Sequence, residues 1–103
     1  PATRAILFQH TYGHGGGIQE VAELAEQHGL LLVEDCAQCM PLSEDSYHPG
    51  RHGSCAIFSN NPGKPLPAAS GGLAVTQDAA LADAIRALRD NLPRRNSPIS
   101  DGI

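Results

Sequence analysis

The chain has 103 residues and a formal net charge of −4, with seven Lys or Arg against eleven Asp or Glu, a length that fits one small domain or a piece of a larger one. Its acidic balance and scarce aromatics (Phe8, Phe58, Tyr12, Tyr47 and no Trp) argue against nucleic-acid binding, whether by base stacking or along a phosphate backbone. The longest wholly apolar runs, such as Leu30–Val33, fall far short of the ~20 residues that span a bilayer.

In chain order, Ala5-Ile6-Leu7-Phe8 is an apolar run closed by Gln9-His10 and reads as a buried strand. The cluster Gly13-His14-Gly15-Gly16-Gly17 breaks regular structure. From Ile18 to His28, Ile18, Val21, Ala22 and Ala25 fall at helical spacing, Glu20, Glu23, Glu26 and Gln27 take the wet side, and Gly29 stands where a helix-ending glycine belongs. Leu30-Leu31-Leu32-Val33, closed by Glu34-Asp35, suits a strand covered on both faces. Pro41 to Gly53 holds two Pro, two Gly and several charges and reads as loop. Cys55–Phe58 and Gly72–Thr76 are the third and fourth strands. Between them, three prolines in Asn60–Pro67 forbid a helix interior. Leu81, Ile85, Leu88 and Leu92 form a helical stripe from an N-cap at Asp78, ended by Pro93. Residues 93–103 read as a polar loop or tail. Strand, helix and strand over the first third of the chain make a βαβ unit, so the expected class is α/β.

Three cysteines, an odd number, favour a reducing cytoplasm over a disulfide scaffold. No charged-then-apolar leader opens the chain, so no export signal is expected. It starts at Pro1 without Met, as an excerpt or processed chain would. The basic residues are six Arg and the single lysine Lys64, so any lysine chemistry must use Lys64.

Cys36-Ala37-Gln38-Cys39 follows a strand, but Pro41 denies it the helix that a thioredoxin-like redox site needs. A zinc site from Cys36, Cys39, His48 and His52 has only eight residues between Cys39 and His48, against ~12–15 in a finger, and exchanging one histidine for Cys55 gives no better spacing. Small buried residues are the expected reading, and no metal is expected. His14-Gly15-Gly16-Gly17 looks like an esterase oxyanion loop but lacks a G-x-S-x-G partner. Gly63-Lys64 lacks the Ser/Thr of a phosphate-binding Walker loop. A third group is spread along the chain: Asp35 closes a strand, Gln38 lies one turn on, Ser59 closes another strand, and Lys64 follows in a loop before Gly71-Gly72. Carboxyl ends of strands in an open α/β sheet face one crevice, where an acid, a hydroxyl and an amine can converge. The competing reading is a solvated lysine and ordinary polar strand ends.

Five segments in order then resemble one family. Leu32-Val33-Glu34-Asp35-Cys36-Ala37-Gln38 is similar to the aspartate segment of the DegT/DnrJ/StrS family of fold-type-I, pyridoxal-phosphate-dependent sugar aminotransferases. Phe58-Ser59-Asn60-Asn61-Pro62-Gly63-Lys64 resembles its lysine segment, and Gly71-Gly72-Leu73-Ala74-Val75-Thr76 the double-glycine strand behind it. His10-Thr11-Tyr12-Gly13 resembles its H-x-Y-G turn, and residues 82–89 its post-strand helix.

The resemblance implies a partial transferase large domain over residues 1–92, with a mostly parallel sheet of about four strands and flanking helices. It implies that Lys64 forms the internal aldimine with pyridoxal 5′-phosphate and, once released, shuttles a proton. Asp35 would pair with the pyridinium nitrogen, Gln38 with the phenolic oxygen and Ser59 with the phosphate, while Ala37 packs on the ring. The implied reaction moves an amino group, usually from glutamate, to a keto-sugar or cyclic ketone, in a homodimeric cytoplasmic enzyme. Family enzymes are several times longer, so the isolated chain is expected to be inactive. The alternative is a catalytically silent α/β remnant. Asn60-Asn61 stand where the family commonly shows aromatics, Ser70 replaces an acidic residue, and Gly15–Gly17 enlarge the loop after Tyr12-Gly13, leaving the ketone open.

Overall fold

A computed structural model describes residues 2–40 and 48–93. In chain order the elements are β1 (Ala5–Gln9), a short 3-10 turn (Thr11–Gly13), α1 (Ile18–Gln27), β2 (Leu31–Asp35), β3 (Cys55–Ser59), β4 (Gly72–Val75) and α2 (Ala79–Asn91). The strands form one sheet in the order β1-β2-β3-β4. The first three are parallel and β4 runs antiparallel to β3. The α/β class and the mostly parallel four-stranded sheet expected from the sequence are what the chain adopts. The first part of the loop placed at residues 41–53, and the tail from residue 94 on, lie outside the described residues.

α1 forms where the apolar spacing predicts it. Ile18 and Ala25 are buried against Leu32 of β2, with Ile6, Phe8, Val21, Ala22 and Leu30 packed around them. Burying a side chain the size of Ile18 or Leu32 contributes about 1.5–3 kcal/mol. The helix stops at Gly29, whose φ of 62° suits a residue without Cβ. A second apolar cluster joins Cys36 and Cys39, beyond the end of β2, to Ala56 and Phe58 of β3.

Two strand expectations change. β1 is an edge strand with alternating exposure, and Leu7 is 67% exposed. β2 is covered on one face rather than both: Leu32 and Glu34 are buried while Leu31 is 52% exposed. The reason is that α1 lies on only one side of the sheet. α2 begins at Asp78, whose Oδ1 accepts the Leu81 N–H at 3.1 Å, as the N-cap reading requires. Its stripe lines a cleft with β4 at Ile85, but Leu88 and Leu92 stay exposed.

The glycine pair before β4 has a steric cause. Gly71 sits at φ 118°, and a Cβ on Gly72 would fall 2.5 Å from the Phe58 carbonyl oxygen on the paired strand. Among the described residues no helix is long and apolar enough to cross a membrane.

Candidate active site

The register brings two predicted residues to one place. Asp35 pairs with Ile57, and Ser59 lies two residues further along β3. Asp35 and Ser59 therefore share one face at the carboxyl end of the sheet, opposite the face that holds Leu32 and α1. Asp35 is half-buried, and its Oδ1 accepts the Ala37 N–H at 3.0 Å, which turns the chain just past β2. The Ser59 hydroxyl accepts the Asn61 N–H at 3.4 Å.

Lys64 sits half-buried in the loop between β3 and β4. That loop is stitched by two asparagines that the sequence reading treats only as departures from the family pattern. The Asn60 N–H donates to the Gly71 carbonyl at 2.9 Å, and its Nδ2 to the Leu66 carbonyl at 3.1 Å. The Asn60 carbonyl accepts the Ala68 N–H at 2.6 Å, and Asn61 Oδ1 accepts the Gly71 N–H at 3.3 Å. The Lys64 N–H closes a tight turn onto the Asn61 carbonyl at 3.1 Å. Asn before Pro-Gly is a turn signal, and it could have exposed this role.

Gln38 and Lys64 line one pocket of about 540 Å³ together with Tyr12, Pro62, Gly63 and Pro65. Asp35, Ala37 and Ser59 are outside its lining, on the adjoining strand ends and turn. The Gln38 side-chain oxygen accepts the backbone N–H of Tyr12, so the turn after β1 meets the turn after β2. An amine, an amide and a nearby carboxylate and hydroxyl are a donor and acceptor set that suits a charged aromatic ring carrying a phosphate, as pyridoxal phosphate does.

The residue that the sequence reading missed is Glu34. It is wholly buried with His10, and its carboxylate accepts four hydrogen bonds. Oε2 accepts from His10 Nε2 and from the Gly50 N–H, both at 2.8 Å. Oε1 accepts the N–H groups of His52 at 2.7 Å and Gly53 at 2.6 Å. Gly53 reaches that position because it lacks a side chain: a Cβ there would meet the Leu32 carbonyl oxygen at 2.6 Å. No periodicity marks Glu34, since a carboxylate at a strand end normally faces water.

Among the described residues, His10, Glu34 and Cys36 offer ligand atoms within 4.8 Å of one another, rather than the Cys36, Cys39, His48 and His52 set weighed from sequence. Both Glu34 oxygens are already occupied by hydrogen-bond donors, so this trio is a buried polar cluster. Cys36 and Cys39 are free thiols, buried as small core residues. Burial, then Cys39 and Glu34, push the Cys36 thiol far up, so it stays protonated. Under native conditions at neutral pH, Cys36 is expected to resist iodoacetamide and to label only after unfolding. Folding stability is expected to fall as pH rises past the ordinary thiol value of 9.0, because the unfolded thiol then ionises while the folded one does not. Denaturant midpoints measured across that range check the sign.

The sequence profile described as the DegT/DnrJ/EryC1/StrS aminotransferase family matches residues 1–96. The chain is 44% identical over 91 residues to the erythromycin biosynthesis sensory transduction protein EryC1 of Saccharopolyspora erythraea, covering 87% of this chain and 25% of that protein. It is 43% identical over 91 residues to the dTDP-3-amino-3,4,6-trideoxy-alpha-D-glucose transaminase of Streptomyces venezuelae, covering 87% and 24%. The crystal structure of S. venezuelae DesV in complex with a ketimine intermediate superimposes with a TM-score of 0.73 at 39% identity, covering 93% of this chain and 26% of that one. The chain thus spans about a quarter of the length of the relatives it matches. With the five motif segments in order, the sheet they build and a profile match across nearly all its residues, the chain belongs to the DegT/DnrJ/EryC1/StrS aminotransferase family.

Proposed function

We propose that this chain supplies the pyridoxal-phosphate-binding centre of an aminotransferase that moves an amino group from an amino acid, glutamate in the simplest case, to a keto-sugar or cyclic ketone. The observation that carries this reading is that the only lysine of the chain shares a pocket with Gln38 beside the strand ends that bear Asp35 and Ser59. The transaminase named among the relatives supports the substrate class. A homodimer is part of the same proposal.

The cofactor supplies an electron sink for the bond pair released at the substrate carbon. The residues of this chain do the rest. Lys64 Nζ would hold the cofactor and, when free, would serve as the base that moves a proton at the substrate carbon. Asp35, fixed by the Ala37 N–H, would hold a proton on the ring nitrogen. Gln38 would donate to the phenolic oxygen, the Ser59 hydroxyl would bind the phosphate, and Ala37 would leave room for the ring.

The test is borohydride reduction of the full-length protein after incubation with pyridoxal phosphate, followed by peptide mass mapping. A single pyridoxyl group on the peptide containing Lys64 is expected. An unlabelled Lys64 peptide overturns the proposal. The second reading, a silent remnant, is separated by turnover: covalent labelling of Lys64 without amino transfer to any keto-sugar would favour it.

A further inference from the structure

The amide of Gln38 has only one orientation compatible with its surroundings. A backbone N–H can donate but not accept, so the side-chain atom of Gln38 that meets the Tyr12 N–H is the oxygen. The amide nitrogen is then the group that Gln38 offers elsewhere, and Gln38 lines the Lys64 pocket.

The position of that Tyr12 N–H is itself unusual. Tyr12 lies at φ 53° and ψ 26°, a left-handed conformation that costs an aromatic residue energy. Tyr12 is 83% exposed, so burial does not offset that cost within this chain. The conformation persists because the turn is clamped. The His10 N–H donates to the Asp35 carbonyl at 3.0 Å, and the Gly13 N–H donates to the His10 carbonyl at 3.0 Å. The wholly buried His10 ring meets the wholly buried Glu34 carboxylate at 2.8 Å.

We propose that His10, held by Glu34, is a positioning residue that sets the Tyr12 backbone so that Gln38 presents its amide nitrogen, and not its oxygen, to the Lys64 pocket. The group that fits such a donor is an anionic oxygen on the bound ring, so this inference rests on the pyridoxal phosphate reading above. A donor at that oxygen favours the less protonated form of the nearby nitrogen linkage to Lys64. Without the donor, the pH at which the visible band of the bound cofactor titrates moves up by about one pH unit.

The experiment is a spectrophotometric pH titration of the cofactor-loaded full-length protein in four forms: wild type, Gln38→Ala, His10→Ala and the double variant. Both single variants are expected to raise the midpoint by a similar amount, and the double variant to raise it no further, because each removes the same interaction. His10→Gln, which keeps a donor toward Glu34, is expected to return the midpoint toward wild type. A His10→Ala variant that is less stable but titrates like wild type overturns the proposal, as does an additive double variant. A cofactor-free measurement tests the Tyr12–Gln38 contact directly, and His10→Gln carries the His10 test should His10→Ala not fold. By amide hydrogen exchange, the Tyr12 N–H of the wild type is expected to be protected and to lose that protection in Gln38→Ala. An unprotected Tyr12 amide in the wild type refutes the inference whatever the cofactor does. Absence of any visible band, with Tyr12 still protected, refutes the functional reading instead.

Discussion

Lys64→Ala is expected to lower amino transfer by the full-length protein about 10⁴-fold, since proton transfer by a positioned side chain alone contributes ~10²–10⁴. Lys64→Arg is expected to fall as far. Its guanidinium keeps the charge but does not lose a proton at working pH, so it can neither attack a carbonyl nor act as a base. Added methylamine should restore part of the rate to Lys64→Ala, by supplying a free amine in the vacated space. Steady-state rates with a keto-sugar and glutamate, with and without the amine, check this. Retained turnover in Lys64→Ala would remove the lysine from the mechanism. Lys64 is only half-buried in its loop, so the substitution should hardly change the denaturation midpoint.

Glu34→Ala is expected to be the most damaging single change to the fold, costing about 3–5 kcal/mol. Alanine leaves the His10 ring and the N–H groups of Gly50, His52 and Gly53 without the carboxylate that now accepts from all of them. Glutamine is a poor substitute, because each carboxylate oxygen accepts two donors and an amide nitrogen would confront two of them. Glu23→Ala, on the exposed side of α1, is the control and should stay within about 0.5 kcal/mol of wild type. Urea denaturation of the three proteins tests the contrast, and a Glu34→Ala midpoint equal to that of Glu23→Ala would contradict it. Loss at Glu34 should also loosen the Gly50–Gly53 segment selectively, visible as faster amide exchange there than in α1.

The local elements were readable because their causes are local. The spacing of Ile18, Val21, Ala22 and Ala25 marks a helix with one face to bury, and Asp78 caps α2 through its own near neighbour Leu81. The motif order from His10 to Gly72 placed the family, and the solitary lysine limited the chemistry to one amine. Exposure was less readable. The apolar runs of β1 and β2 promise burial, yet Leu7 and Leu31 face outward, since burial depends on which element covers a face and α1 covers only one.

What the amino-acid sequence determined by itself is the set of elements, their order and the kinds of functional group at the strand ends. Only the tertiary structure decided that Glu34 turns inward to hold His10 and a loop 16 to 19 residues away, and that Gln38 meets Tyr12. The physical reason is that helix and strand patterns arise within a few residues. The partner of a buried carboxylate or an amide is chosen by parallel strand pairing, which brings distant parts of the chain side by side.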